Sequence, residues 1–210
     1  MESAFENGAV RGILHRPENP TGEALALTHG AGANCQAPLL ALAARFLADA
    51  GFLVLRYDLP FRQMRAKGPP FPAMAPKDRE GVAAAVAVLR ELSAGPVFAG
   101  GHSYGGRQTA MAAAENPVLA RGLLLFSYPL HPPAKPEKMR TDYFPNLQTP
   151  ALFVHGAADP FGTIDELTAA TALIPARTRI LEVRGAGHDL KRAPTAFPDV
   201  LAWLRSPAGC

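Results

Sequence analysis

Little in this chain ties it together covalently. Its 210 residues include two cysteines, Cys35 and Cys210, and a single tryptophan. Two cysteines make no disulfide framework, so the fold must rest on its own core and a reducing compartment, the cytosol by default, is expected. No apolar run reaches the ~20 residues of a membrane span, so no membrane association is expected. Residues 1–7 are acidic and polar where a secretory signal would be apolar. Charge of one sign is also missing. Lys and Arg number 21 against 18 Asp and Glu, for a net charge of +3, and the basic residues are scattered. Without a basic stripe interleaved with aromatics, no nucleic-acid partner is expected. No histidines and carboxylates recur at metal-ligand spacing, so neither a metal nor another cofactor is expected. A hydrophobic fraction of 48% and a charged fraction of 19% suit one globular domain over residues 1–210, long enough to bury a substantial core.

What is present is organised around residues 97–107. The apolar run Val97-Phe98-Ala99 follows Pro96 and ends in Gly100-Gly101. Then comes Gly101-His102-Ser103-Tyr104-Gly105, and after it a small-residue segment of helical character. A strand, a sharp turn and a helix in that order hold a serine in a strained conformation with its hydroxyl pushed out above a sheet. Glycine is needed on either side because strand and helix close together there. The unpaired N–H groups of the helix start point at the same spot. A phosphate-binding loop would need Lys and Ser/Thr where Arg107 and Gln108 stand, which excludes that chemistry. Ser103 is therefore expected to be a nucleophile.

Along the chain, strands are expected at 10–15 (an edge strand), 23–28, 52–57, 97–101, 123–126, 151–154 and 179–183. Helices are expected at 38–50, 76–93, after the elbow, at 165–173 and at 197–204. The alternation implies an α/β fold with a mostly parallel sheet and helices on both faces. Residues 61–76 carry Pro69, Pro70, Pro72 and Pro76, a density that argues against regular structure. Residues 127–150 make a second long loop. Ligands of such sheets bind beyond the carboxyl ends of the strands, and Ser103, Asp159 and His188 each lie just past one.

A serine hydroxyl needs an adjacent base, an imidazole can supply it near neutral pH, and a buried carboxylate can orient that imidazole. The chain order Ser103, Asp159, His188 suits these roles. Asp189 sits too close to the base to reach its far nitrogen, and Asp165 is expected to start a helix. The oxyanion hole is expected from the backbone N–H of Tyr104 and that of Ala31, with Gly32 as second choice. His29 and His155, each ending a strand before glycine, are expected to bond loop backbone beneath the site. His102 is expected to pack the elbow, His15 and His131 to lie on the surface, and Cys35 to be no nucleophile. Arg62, Arg65, Lys135, Lys138 and Arg140 are either solvated loop charges or a weak bias toward anionic substrates.

These residues make the chain resemble the α/β-hydrolase superfamily over nearly its whole length. The resemblance is carried by His29-Gly30-Ala31-Gly32, by 101–107, by Asp159-Pro160-Phe161-Gly162 and by Gly187-His188. More narrowly it is similar to small, lidless dienelactone-hydrolase-like proteins, on 128–140 and 159–163. The resemblance implies an α/β-hydrolase fold and a triad of Ser103, Asp159 and His188, and it implies no particular substrate. No helical insertion is big enough for a full cap domain, and the chemistry of the triad leads us to expect a serine hydrolase acting on a carboxylic ester or related acyl bond of a small molecule. True dienelactone hydrolases carry a cysteine nucleophile where this chain has Ser103, and the narrower branch often has Lys and Met where His102 and Tyr104 stand. That branch also contains subunits of chromatin complexes, so a binding protein retaining the fold is the alternative.

Overall fold

The computed structural model describes residues 1–206. Cys210 lies outside them. Eight strands form one sheet: β1 (Glu2–Asn7), β2 (Val10–His15), β3 (Ala24–Thr28), β4 (Leu53–Tyr57), β5 (Val97–His102), β6 (Leu123–Phe126), β7 (Ala151–Gly156) and β8 (Thr178–Val183). Their order is β1-β2-β4-β3-β5-β6-β7-β8. β1 and β2 pair antiparallel, as do β2 and β4, and every later pairing is parallel. The helices are α1 (Pro38–Asp49), α2 (Pro60–Met64), α3 (Ala75–Leu92), α4 (Tyr104–Glu115), α5 (Ile164–Thr171) and α6 (Phe197–Arg205).

Both sheet faces are covered, which is why its inner strands are continuous apolar runs rather than alternating ones. Successive side chains of a strand still point to opposite faces. Leu123 and Leu125 pack with α3, α4 and α5, whereas Leu124 and Phe126 pack with α1 and α6. The prolines serve this arrangement. α1, α2, α3 and α6 each carry one in the first two helical positions, where no backbone donor is lost.

Two sequence expectations need correction. β2 is an inner strand. The edge is β1, whose solvent-facing side leaves no apolar pattern to find. Residues 61–76 contain α2 and a 3-10 turn at Pro72–Met74, because Pro60 and Pro72 sit at helix starts rather than inside helices. Residues 127–150 form the long loop expected, with a 3-10 turn at Phe144–Asn146, and it is packed down: Tyr128, Leu130, Phe144 and Leu147 are buried in the core, and Tyr128 donates to the Arg140 carbonyl at 2.6 Å.

Candidate active site

β5 passes into α4 with no intervening loop. Ser103 is the single residue between the strand, which ends at His102, and the helix, of which it is the N-cap, at φ 52 and ψ −118. This left-handed region is strained for a residue with a Cβ, and the strain is held by Ser103 N–H donating to the Phe126 carbonyl at 2.9 Å. The glycines are required by contact. A Cβ on Gly101 would lie 2.7 Å from the Thr28 carbonyl oxygen, and one on Gly105 would collide with the carbonyl oxygen of His29.

Asp159 follows β7 and His188 follows β8. His188 Nδ1 lies 2.8 Å and 3.0 Å from the Asp159 carboxylate oxygens, and His188 Nε2 lies 2.8 Å from Ser103 Oγ. Burial alone would raise the Asp159 carboxyl. The bond from His188, the Phe161 N–H at 2.9 Å and the nearby rings of His188 and His155 outweigh it and hold the carboxyl below its ordinary value. An ionised carboxylate only accepts, so Nδ1 carries the proton and Nε2 is the acceptor for the serine hydroxyl. The imidazole is fixed from both sides. The Phe161 ring lies 4.2 Å away and the His102 ring 5.2 Å, centroid to centroid.

The neighbouring histidines are structural. His102 Nε2 donates to the His188 carbonyl at 2.8 Å, and His155 Nε2 donates to the Gly162 carbonyl at 2.8 Å. His29 accepts the Leu59 N–H at Nε2 and donates from Nδ1 to the Gly30 carbonyl. Burial lowers the pKa of both His29 and His102, which suits these neutral roles. Thr163 and Glu166 form a capping box that starts α5, so Asp165 sits in its first turn. Asp189 is exposed and pairs with Lys191 at 3.1 Å. Cys35 is buried, which together with Asp58 pushes its thiol up to about 12 and away from nucleophilic chemistry. His15 and His131 do not lie on the surface. His15 accepts from Arg56 Nε at 2.8 Å inside the protein, and His131 is buried against Glu166.

The loop after β3 turns tightly at the residues expected to form the oxyanion hole. A turn closes from Ala33 N–H to the Gly30 carbonyl at 3.1 Å, so the N–H groups of Ala31 and Gly32 are not used by the turn. Tyr104 is the first residue of α4, where the backbone N–H has no partner within the helix.

Two residues that sequence reasoning missed support this backbone. Arg62 is 6% exposed and donates to the carbonyls of Ala31 (2.7 Å), Ala33 (2.7 Å), Arg65 (3.0 Å) and Gly68 (3.0 Å). It is therefore neither a solvated charge nor a substrate contact but a clamp on the loop after β3. Asp78, fully buried in α3, accepts from Phe61 N–H at 3.0 Å and from the Tyr104 hydroxyl at 2.7 Å. Buried guanidinium or carboxylate groups in segments otherwise rich in proline or alanine carried no local sign of these partners.

Burial raises the Asp78 carboxyl, and the bonds from Phe61 and Tyr104 offset only part of that. The stabilisation that goes with its protonated form is complete below the ordinary aspartate pKa and is lost as pH rises through the raised one. Asp78→Asn keeps an acceptor for Phe61 and offers a donor to Tyr104, so it should stay within about 1 kcal/mol of wild type near neutral pH. It should also gain on wild type as pH rises across that window. Asp78→Ala should cost ~1–3 kcal/mol, because it leaves buried donors unpaired. Urea unfolding at a series of pH values checks both.

Residues 21–196 match the family described as the alpha/beta hydrolase domain. The chain belongs to the alpha/beta hydrolase family. Among solved structures, this alpha/beta hydrolase is similar to TT1662 from Thermus thermophilus. The two are 21% identical with a TM-score of 0.77, over 100% of this chain and 99% of that one. It is similar to a dienelactone hydrolase from Anabaena variabilis at 23% identity and TM-score 0.75, over 99% and 96% of the two chains. It is also similar to XC6422 from Xanthomonas campestris, described as an α/β serine hydrolase without lid. There the identity is 17% and the TM-score 0.71, over 99% and 92% of the chains. These likenesses are of fold, and they agree with an α/β-hydrolase sheet that carries no separate cap domain among the described residues. Among those residues, no helix is long and apolar enough to cross a membrane.

Proposed function

We propose that this chain is a serine hydrolase that cleaves a carboxylic ester or a related acyl bond of a small-molecule substrate. The observation that carries the reading is the unbroken relay from Asp159 through His188 to Ser103, with the carboxylate ionised and each link at 2.8 Å. Ser103 Oγ attacks the substrate carbonyl while His188 Nε2 takes its proton. The resulting imidazolium is stabilised by Asp159. The N–H groups of Tyr104 and Ala31 receive the developing oxyanion. Collapse of the intermediate expels the alcohol, which takes the proton from His188 and leaves an acyl-enzyme on Ser103. Water, deprotonated by the same imidazole, then releases the acid. No cofactor enters this scheme. A neighbour named as a dienelactone hydrolase and another described as a serine hydrolase accord with acyl chemistry.

A fluorophosphonate probe tests the reading, since it labels a serine only where a base and an oxyanion site activate it. Wild-type protein should be labelled stoichiometrically, and Ser103→Ala should lose labelling altogether with its thermal unfolding little changed. Folded wild-type protein that stays unlabelled would turn the reading toward a binding protein that keeps the hydrolase fold.

A further inference from the structure

Beside His102, the residue before Ser103, lies a hollow of about 390 Å³ between the start of α1 and the turn that follows His188. Leu39, Leu42 and Pro194 form its outer walls, and His102 and Leu190 form its inner one. The inner wall belongs to the active site. His102 precedes Ser103, its ring flanks that of His188, and Leu190 follows His188 by two residues. Gly30 closes the same junction. A Cβ there would lie 3.1 Å from His102 Nδ1 and 3.4 Å from Ser103 Cβ, so glycine leaves both side chains undisturbed where they stand.

The lining is apolar and electrically neutral. Its charged members, Asp189 and Lys191, pair with each other at 3.1 Å and stand at the exposed rim. Leu42 is 46% exposed, on the side of α1 turned away from the buried Leu40, Ala43, Ala44 and Leu47. A leucine so placed at the wall of a hollow gains when an apolar ligand group covers it. A larger hollow, about 540 Å³, is lined by Leu14, Glu23, Leu53 and Leu92 at the amino ends of the parallel strands. That is the opposite end of the sheet from Ser103, so it lies beyond reach of the chemistry.

We propose that the hollow beside His102 is the substrate subsite for an uncharged, apolar arm of the acyl group, an unbranched chain or a single aromatic ring. This rests on the serine-hydrolase reading and specifies its substrate class: neutral, apolar acyl esters rather than the anionic ones that the loop cations suggested. Full burial of a methylene is worth roughly fourfold in binding. In this half-open hollow each should raise kcat/KM about twofold.

The test is the ratio of kcat/KM for 4-nitrophenyl octanoate to that for 4-nitrophenyl acetate, with fluorophosphonate labelling run in parallel. Both substrates are measured on one preparation, so loss of folded protein cancels from the ratio. Wild type should favour octanoate by at least about tenfold. Ala37→Phe, which fills the hollow, and Leu42→Lys, which charges its wall, should each cut the ratio at least fivefold. Val118→Lys, at a 76% exposed position after the far end of α4, should leave it unchanged. A labelled wild type with a ratio near one overturns the subsite and leaves the hydrolase reading standing, as does a wild-type ratio in both hollow variants. A wild type that is neither labelled nor active overturns the hydrolase reading and the subsite with it.

Discussion

Asp159→Asn is expected to lower kcat about 10³- to 10⁴-fold at neutral pH while the protein stays folded. An asparagine has nearly the same shape but presents an amide NH₂ as well as an oxygen. Its NH₂ facing His188 Nδ1 favours the tautomer that carries its proton on Nε2. That nitrogen then donates where it should accept, and Ser103 keeps its proton. Losses of about 10⁴ accompany this change of tautomer in a Ser-His-Asp triad. The acid limb of stability should change as well. The wild-type carboxyl is held below its ordinary value, so the stability it contributes is present above that value and is lost as pH falls through the lowered one. Asp159→Asn should flatten this part of the profile. Steady-state kinetics on an activated ester, with unfolding followed between pH 2 and 7, checks both parts. A variant that keeps more than a tenth of wild-type kcat would remove Asp159 from the relay.

The second large effect is expected at Arg62, which touches none of the groups that exchange protons. Its guanidinium binds the carbonyls of Ala31, Ala33, Arg65 and Gly68, and no carboxylate pairs with it among the described ion pairs. Arg62→Met fills similar space but leaves several partly buried carbonyls without a donor, each worth ~1–3 kcal/mol. Relaxation and entering water recover part of that. A net loss of ~2–4 kcal/mol should lower the melting temperature by roughly 5–15 °C. The Ala31 and Gly32 amides ride on the loop so released, and loss of one oxyanion donor costs about 10²–10³ in kcat. The expected split is therefore a kcat lowered about a hundredfold with KM little changed. Arg62→Lys keeps a charge but offers no planar fork for several carbonyls at once, so it should recover stability more than rate. Arg62→Met at full kcat would show that the loop holds its shape unaided.

These cases also mark where sequence reasoning stops. That Ser103, Asp159 and His188 would meet was legible because each is announced locally, by a strand ending and a glycine-rich or proline-marked turn. The parallel sheet was legible for a related reason, since strands such as Leu123-Leu124-Leu125-Phe126 are apolar on both faces. Arg62 and Asp78 carried no such sign. Their partners lie at Ala31 and Tyr104, dozens of residues away along the chain, and an arginine in a proline-rich stretch looks like any solvated charge. His15 and His131 misled in the same way, because nothing beside them in sequence names Arg56 and Glu166, the partners that make their burial tolerable. β1 went unseen because an edge strand with a solvated side need not alternate cleanly.

The direct passage from β5 into α4 bears on the time domain. A nucleophile on a mobile loop can sample many positions while the rest of the molecule stays folded. Ser103 has no such freedom, because it stands alone between the end of a central strand and the start of a helix. Local opening of that junction would break pairing with β3 and β6 together, so its free energy approaches that of unfolding the domain. If Ser103 is the nucleophile proposed above, waiting for it to find its place is then no part of the catalytic cycle, and a slow step is expected in bond-making, in water entry or in the departure of products.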